Sequence, residues 1–555
     1  MDSSLTQEEM QHFIRRLKIL EDERKRGWES HWKDLSRNFL PRRARFLDAG
    51  DETNAGEVRN LLQDGIGIMA LRILANGMQS GLTSPARPWF SLTLTDRELA
   101  ETGEAKLWLH DTYEKMVAVF AKSNFYDQIH ILYSELACFG TGAVIIEEDQ
   151  RNVLRCRTLT VGEYALDTGE SGRVDTLYRR IRMTPRQMVQ AWPDSVPDNI
   201  RDMAEKDTAR WMTVLHAVEP NKNLAPGRAR GKERPWRSVY IVLEGSHREV
   251  LEDSGYYEFP ALCPRWITTA SDVYGASPAM DALGDCLQLQ KITEDSRMAL
   301  EKEVNPPLLV SSVFANRLPN VSPGAINFQN GLMQGQEGIS PLYQVRANLQ
   351  GAERTRAELK DQIQRHFHND LFLMISDVNK QMTATEVAER NAEKLLMLGP
   401  VLDRLRSELF QPLIERVFGI MDRQGLIALP PDVLTGQEVK VEFISILAQA
   451  QKQAGISAIS QTVGFAGQVA GIYPGIIDKI NFDEAMDEWA EMQGVPPSLI
   501  RSDEEVAAIR EQRAQQMQQQ QMMDALQQGA EVASSGARAV KDLGAAQDAA
   551  PEGGM

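Results

Sequence analysis

Apolar positions recur at helical spacing from about Leu5 to Phe39, closing with Trp28, Trp32, Leu35 and Phe39 at i, i+4, i+7 and i+11 before Pro41 ends the run. This pattern predicts one long opening helix whose aromatic stripe faces a core. A second helix is expected from Val58 to about Gln79, with Leu62, Ile66, Met69 and Ile73 in register. A third is expected from the capping box Thr95-Asp-Arg-Glu98 to about Phe120. After Phe139 the period shortens. Gly142–Glu148, Val153–Thr158, Arg173–Arg182, Trp211–Val218, Ser238–Leu243 and Arg248–Leu251 are β-branched or alternating runs parted by turn residues, and they predict a mostly antiparallel sheet. One short helix, opened by Thr184-Pro-Arg-Gln187, interrupts them.

From Ser277 and Pro278 a helix is expected to about Val304, where Asn305-Pro306-Pro307 stops it. A Pro-, Gly- and Asn-rich stretch to Leu349 follows. Then comes a second long helix, about Gly351–Ser376, striped by Leu359, Ile363, Phe367, Leu371 and Met374. Thr383 and Glu386 form a capping box for a further helix, which passes Leu398-Gly-Pro400 with a kink and reaches about Gln424. Helical patterns recur at about Glu442–Gly464 and Asp483–Met492. The helix expected from Ser502 grades into low complexity, since nine of the seventeen residues 512–528 are Gln. So polar a tail is a solvated helix of an assembly or is disordered. Disorder is expected for 545–555. The fold class is therefore α+β, predominantly helical.

Composition narrows the reading. The chain has 555 residues, 61 Lys plus Arg against 78 Asp plus Glu, and a formal charge of −17. Its size and 42% hydrophobic content suffice for several cores. Cys138, Cys156, Cys263 and Cys286 form no CxxC or Cys/His pair, so neither a disulfide framework nor a zinc ribbon is expected. The acidic start lacks the basic and apolar regions of a secretory signal, so export by that route is not expected. The most apolar helical stretch, Leu61–Leu82, holds Asp64, Arg72 and Asn76, so no membrane span is expected. The acidic balance disfavours a protein that grips duplex DNA through a basic face.

Catalytic patterns are weak throughout. Gly65-Ile-Gly67-Ile-Met-Ala70 matches a dinucleotide fingerprint in letters, yet it sits inside a helical pattern with no strand before it. Gly227-Arg-Ala-Arg-Gly231-Lys232-Glu233 is one residue short of a phosphate loop and lacks its Ser or Thr. His366 and His368, two apart on a helix, point to different sides and do not clamp one metal; one is expected partly packed and the other solvated. No HExxH or GxSxG occurs. The chain reads as a non-enzyme without metal or cofactor. One basic cluster stands out: Lys222, Arg228, Arg230, Lys232, Arg234 and Arg237. It is a solvated insertion, or a contact with nucleic acid or an acidic neighbouring subunit.

Several strings, in order, resemble the portal or head-to-tail connector proteins of short-tailed phages. They are Leu82-Thr-Ser-Pro85 with Trp89-Phe90, Ser123-Asn-Phe-Tyr126, Phe139-Gly-Thr-Gly142, Arg265-Trp266 with Tyr274-Gly-Ala-Ser-Pro278, Asn305-Pro-Pro307, Met382-Thr-Ala-Thr-Glu386, Leu398-Gly-Pro400 and Leu447-Ala-Gln-Ala-Gln451. They run from about Trp28 to Arg510, nearly the whole chain. The resemblance implies a ring, usually of twelve subunits, at one capsid vertex of the virion, assembled in the host cytoplasm. The implied partners are double-stranded DNA in the channel, the terminase motor, tail adaptor and other tail proteins, and the major capsid and scaffolding proteins; no membrane is involved. It implies a wing over 1–276, helical to 138 and sheet-rich over 139–276. Stem helices over 277–304 and 351–376 would flank a clip at 305–350. A tunnel loop at 377–383, a kinked wing-crossing helix at 384–440, a crown at 441–500 and a helical barrel or tail at 501–544 would follow.

On that implication, twelve channel helices spaced ~9 Å apart form a ring ~34 Å across their axes, leaving about 24 Å for a duplex of roughly 20 Å. The first stem helix has six acidic residues, including Asp281, Asp285 and Asp295, against Lys291, Arg297 and Lys302. Asp281, Asp285, Gln288 and Asp295 are the channel-facing candidates, because an acidic lining keeps phosphates from sticking. The other orientation turns them to solvent or a neighbouring subunit. Lys380 and Gln381, near the tunnel loop, are the candidates for direct DNA contact. The alternatives are an internal core or scaffolding protein, against which the sheet region argues, and a packaging ATPase, against which the broken phosphate loop argues.

Overall fold

The computed structural model describes residues 5–46, 62–94, 103–206, 210–222, 233–244, 248–311, 320, 322–329, 339–342, 349–373, 399–431, 434, 439–443, 459–470, 473–493 and 506–520. The chain divides into two compact units, one of residues 1–95, 111–429 and 436–452 and the other of 96–110, 430–435 and 453–555.

The opening helix forms as expected, as α1 (Gln7–Arg24) and α2 (Ser30–Phe39) joined without a break by a π turn at Lys25–Glu29. Thr6 caps it: its hydroxyl accepts from the Glu9 amide at 3.3 Å while the Glu9 carboxylate accepts from the Thr6 amide at 3.1 Å. Trp32, Leu35 and Phe39 are fully buried, as the aromatic stripe requires, and Trp28 is half-buried beside them. Next come α3 (Ile66–Leu82), β1 (Phe90–Leu94), α4 (Gly103–Lys122) and α5 (Phe125–Phe139). The capping box at Thr95 lies outside the described residues. The stripe expected on α3 is the wrong face: Met69 is exposed, and Gly67, Ala70, Leu71, Leu74, Ala75 and Met78 are buried. Small residues decide this, because they admit close neighbours; a Cβ on Gly77 would stand 2.2 Å from the Phe372 ring.

The sheet region holds β2 (Ala143–Asp149), β3 (Val153–Leu159), β4 (Tyr164–Thr168), β5 (Val174–Met183), α6 (Pro185–Ala191), α7 (Asp198–Lys206), β6 (Met212–Pro220), β7 (Trp236–Val242), β8 (Glu249–Tyr256) and β9 (Ala261–Leu262). All its pairings are antiparallel, in two sheets of order β3-β2-β9 and β4-β5-β6-β7-β8. The larger sheet is clad on both faces, and β6 shows how alternation directs this. Leu215 and Ala217 pack with Leu5, Phe13, Leu17 and Leu20 of the opening segment, while Met212 and Val214 pack with Met188, Val196 and Ile200 of the α6–α7 layer. Polar clamps rim the α1 side: Arg180 to Glu21, Arg237 to Glu9 and Arg16 to Asp167.

The first expected long helix is α8 (Pro278–Val304), stopped at Asn305. Three short strands follow, β10 (Leu308–Ser311), β11 (Ile326–Gln329) and β12 (Ile339–Pro341), with β10 parallel to β11 and antiparallel to β12. The second long helix is shorter than expected: α9 (Leu349–His366) ends at His366, and α10 (Asn369–Leu373) resumes after a break. Residues 374–398, with the Thr383 box, lie outside the described residues. α11 (Gly399–Leu405), a π turn at Arg406–Phe410 and α12 (Gln411–Arg423) continue the chain. The helix expected from Glu442 is corrected at its start, because β13 (Val439–Phe443) pairs antiparallel with β1. Val-Lys-Val-Glu-Phe alternates with period 2, and a strand distant in sequence supplies its partner.

In the second unit, α13 spans 459–470, α14 Phe482–Gln493 and α15 506–520. Arg510 binds Asp483 through two hydrogen bonds of 2.7 and 2.8 Å, joining α15 to α14. Among the described residues, no helix is long and apolar enough to cross a membrane.

Candidate functional site

The site of interest is the helix pair α8/α9 and the node from which α8 springs. Ser277 caps α8, its hydroxyl accepting from the Met280 amide at 3.2 Å and donating to the Cys138 carbonyl at 2.8 Å. One turn of chain away, Gly140 and Gly275 cross backbone to backbone. The Gly275 amide donates to the Thr141 hydroxyl at 2.8 Å and the Trp266 amide to the Gly140 carbonyl at 2.8 Å. Tyr274 packs edge-on against Trp32 at 5.0 Å, and its hydroxyl accepts from the Leu166 amide. Arg265, 4% exposed, forks onto Glu408, 8% exposed, with its nearest contact at 2.6 Å. The strings Phe139–Gly142, Arg265-Trp266 and Tyr274–Pro278 thus meet at one place and set the direction in which α8 leaves the body. A second node gathers Trp89, Phe90, Phe120 and Phe125, with Trp89 stacked on Phe125 at 6.0 Å and Thr83 bonded to the Tyr133 hydroxyl at 3.1 Å.

Along α8, Pro278, Ala279, Ala282, Leu283, Cys286 and Leu289 form the buried side. Of the channel-facing candidates, Asp281, Gln288 and Asp295 are exposed and share one face, each seven residues from the next. Asp285 departs from them. It is half-buried toward α9, where its Oδ2 lies 3.2 Å from His366 Nε2. Lys291 is held by Asp295 at 3.0 Å and by Glu294, which leaves the surrounding carboxylates in excess. At the other end of the pair, Asp64 is gripped by Lys360 at 2.7 Å and by Arg356 of α9, and the Gln290 amide of α8 donates to its carbonyl at 2.7 Å. The expectation for the two histidines is corrected: His366 and His368 are both half-buried, His366 against Asp285 of α8. Lys380 and Gln381 lie outside the described residues.

The basic cluster divides in a way its letters do not disclose. Arg228, Arg230 and Lys232 lie outside the described residues, and Lys222 is exposed. Arg234 lies over the Tyr257 ring at 4.5 Å and donates to the Gly255 carbonyl. Arg237 is ion-paired with Glu9 and Asp253 at 2.9 and 3.0 Å and lies over Phe13. The last two are held by partners within the subunit. Among the described residues, no group of three or more His, Cys, Asp and Glu side chains is arranged to hold a metal ion.

Sequence reasoning missed a buried carboxylate in the body below the node. Glu135 on α5 is 1% exposed, with Arg43 at 2.9 Å and the Thr160 hydroxyl donating at 2.8 Å. Burial pushes its carboxyl up to about 7, with Arg43 and Thr160 pulling against that rise. The folded chain therefore binds this proton more tightly than the unfolded chain. The Glu135 contribution to stability is greatest below about pH 4.5 and declines as pH rises toward about 7. Glu135→Gln keeps an acceptor oxygen for Arg43 and places an amide NH2 that donates to the Thr160 hydroxyl, so it is expected to flatten the melting temperature against pH over that window, measured by thermal scans. An unchanged slope would refute the assignment.

Comparison of the whole chain with known proteins supplies the class: residues 10–500 match the family described as bacteriophage head to tail connecting protein. The chain is 40% identical over 538 residues to the portal protein of Salmonella phage epsilon15, covering 96% of each. It is 40% identical over 512 residues to the probable portal protein of Bordetella phage BPP-1, covering 92% of each. Among solved structures it is similar to a chain from the neck of an empty gene transfer agent particle, at a TM-score of 0.35 and 13% identity, covering 71% of this chain and 86% of that one. The chain belongs to the head-to-tail connecting family and is a structural connector of the portal type.

Proposed function

We propose that copies of this chain form a closed ring, of twelve subunits, at one vertex of the phage head, and that duplex DNA passes through its centre during packaging and ejection. In this reading α8 and α9 are the stem pair and the β10–β12 module is the clip. The terminase docks there first and tail proteins later, capsid and scaffolding proteins surround the wing, and the subunit assembles in the host cytoplasm. Residues 377–383 are the tunnel loop, with Lys380 and Gln381 reaching the DNA. Residues 384–440 cross the wing, 441–500 form the crown and 501–544 a barrel or tail. The subunit has no catalytic step of its own; the energy for translocation comes from the motor.

The observation that carries this reading is the exposed face of α8, where Asp281, Gln288 and Asp295 align on the side away from the buried stripe. An acidic helix face lets a polyanion slide, because its excess carboxylates repel the phosphates and its exposed cation, Lys291, is already held by Glu294 and Asp295. Negative-stain images of the purified chain are expected to show rings with a central hole; compact monomers or rods would overturn the proposal. Asp281→Lys combined with Asp295→Lys is expected to slow packaging roughly severalfold at low salt, with partial relief as salt screens the new charges. An unaltered rate and salt dependence would remove these residues from the channel.

A further inference from the structure

On the paired helices α8 and α9, Lys291, Arg297, Arg354, Arg356 and Arg365 each have a carboxylate partner one turn away on their own helix. Lys302 lies between Glu301 and Glu303 in the sequence. Lys360 has no such neighbour on its helix, because Arg356, Ala357, Ile363 and Gln364 occupy the positions three and four residues away. Its counter-ion comes from another part of the chain. Asp64, just before α3, places Oδ2 2.7 Å from Lys360 Nζ and 3.7 Å from the Arg356 guanidinium.

The backbone delivers that carboxylate. The Gln290 side chain of α8 accepts from the Gln63 and Asp64 amides at 2.7 and 3.0 Å and donates to the Asp64 carbonyl at 2.7 Å. The other carboxylate oxygen, Oδ1, accepts from the Ile66 amide at 3.1 Å. Burial works against the charge on Asp64, but Lys360, the Ile66 amide and Arg356 together hold its carboxyl below the ordinary range. Arg356 also keeps an unused donor, since its buried Nε has no hydrogen-bond partner among the described residues. An ammonium, a guanidinium and a main-chain amide converging on one carboxylate are the groups that bind phosphate oxygens elsewhere in proteins.

We propose that Lys360, Arg356 and the Ile66 amide form a phosphate-binding site that Asp64 holds shut, occupying it as an intramolecular stand-in for the anion. The site is closed by competition and not by depth, since the Lys360 side chain is 38% exposed while that of Asp64 is 10% exposed. A carboxylate pinned in place has an effective concentration far above that of a free anion, so phosphate does not enter while Gln290 holds the segment. The inference stands on the single subunit. Under the connector reading, the same contact withholds two stem cations from a passing duplex.

Melting of the full-length chain in inorganic phosphate and in chloride at matched ionic strength tests the proposal. Phosphate stabilises folded chains in general by exclusion from their surface, so the parent's own shift is the baseline. Asp64→Ser vacates the site yet keeps an oxygen for the Ile66 amide, and is expected to melt about 2–4 °C higher in phosphate than that baseline allows. Adding Lys360→Gln is expected to abolish the gain, while Lys360→Gln in the parent leaves the phosphate response unchanged. Asp64→Asn removes the charge and keeps the volume; it is the second variant and is expected to shift in the same direction by less. No phosphate-specific gain in either variant, or a gain that survives Lys360→Gln, would overturn the proposal. Duplex DNA binding titrated across salt then identifies the source of the phosphate. A log–log slope steeper by roughly 1 or more in Asp64→Ser brings the DNA backbone to Lys360, and an unchanged slope beside a phosphate gain assigns the site to free phosphate. Ring images of the same samples report separately on the connector reading.

Discussion

Gly140→Ala is expected to abolish accumulation of soluble folded chain, a destabilisation of more than about 3 kcal/mol. Gly140 sits at φ +72 as the cap of α5, and a Cβ there would stand 2.1 Å from the Gly275 carbonyl oxygen. The approach is reciprocal, since a Cβ on Gly275 would stand 2.4 Å from the Gly140 carbonyl oxygen. Both obstacles are backbone atoms, so no side-chain rotation relieves the overlap. Moving either strand would also break the Trp266–Gly140 and Gly275–Thr141 hydrogen bonds and shift the origin of α8. Gly172→Ala is the control. It has the same φ of +72 with nothing within 4 Å of the added carbon, and is expected to cost only about 1 kcal/mol. Soluble yield and circular-dichroism melting of the two variants separate steric overlap from backbone preference. A Gly140→Ala chain melting within a few degrees of its parent would refute the crossing.

Arg265→Met is expected to cost about 3–5 kcal/mol, because it strands a buried carboxylate. The Arg265 guanidinium donates to both Glu408 oxygens and to the Gly172 and Asp272 carbonyls, and its own amide also donates to Glu408. Arg404 at 3.1 Å remains to Glu408 but is more exposed, so compensation is partial. Desolvation makes single removal expensive, while removal of both partners leaves no orphan charge. Arg265→Met with Glu408→Met is therefore expected to cost less than the sum of the two single changes in denaturant unfolding, with little dependence on salt. Additive losses, or losses that vanish at high salt, would show a surface pair.

Much of the fold is legible in sequence where the signal is local. The Thr6-Glu9 and Thr184-Gln187 boxes, Ser277-Pro278 at the start of α8 and Asn305 at its end mark elements through groups within a few residues of one another. The apolar stripe of α9 reads correctly for the same reason: Leu359 and Ile363 are buried, as is Phe367 just beyond its end. What failed needed distant partners. Val439–Phe443 becomes a strand because Phe90–Leu94 offers it an edge, and α3 turns its glycine and alanine face inward because Phe39 and Phe372 arrive there. The β4 and β9 strands, five and two residues long, are too short for a period to register.

The candidate site divides along the same line. Helical spacing alone aligned Asp281, Gln288 and Asp295, and it placed Asp285 with them because a helix wheel has no neighbour on it. Only the packed α9 turns Asp285 inward to His366. Letters alone made Arg234 and Arg237 part of a free basic cluster, whereas folding delivers Glu9, Asp253 and Tyr257 to them. The amino-acid order by itself determined the helices, their caps and the acidic bias of α8, since these arise within a few turns of chain. Tertiary structure decided which face is buried, which charges are neutralised and where Gly140 meets Gly275, since each depends on residues far apart in sequence that only packing brings into contact.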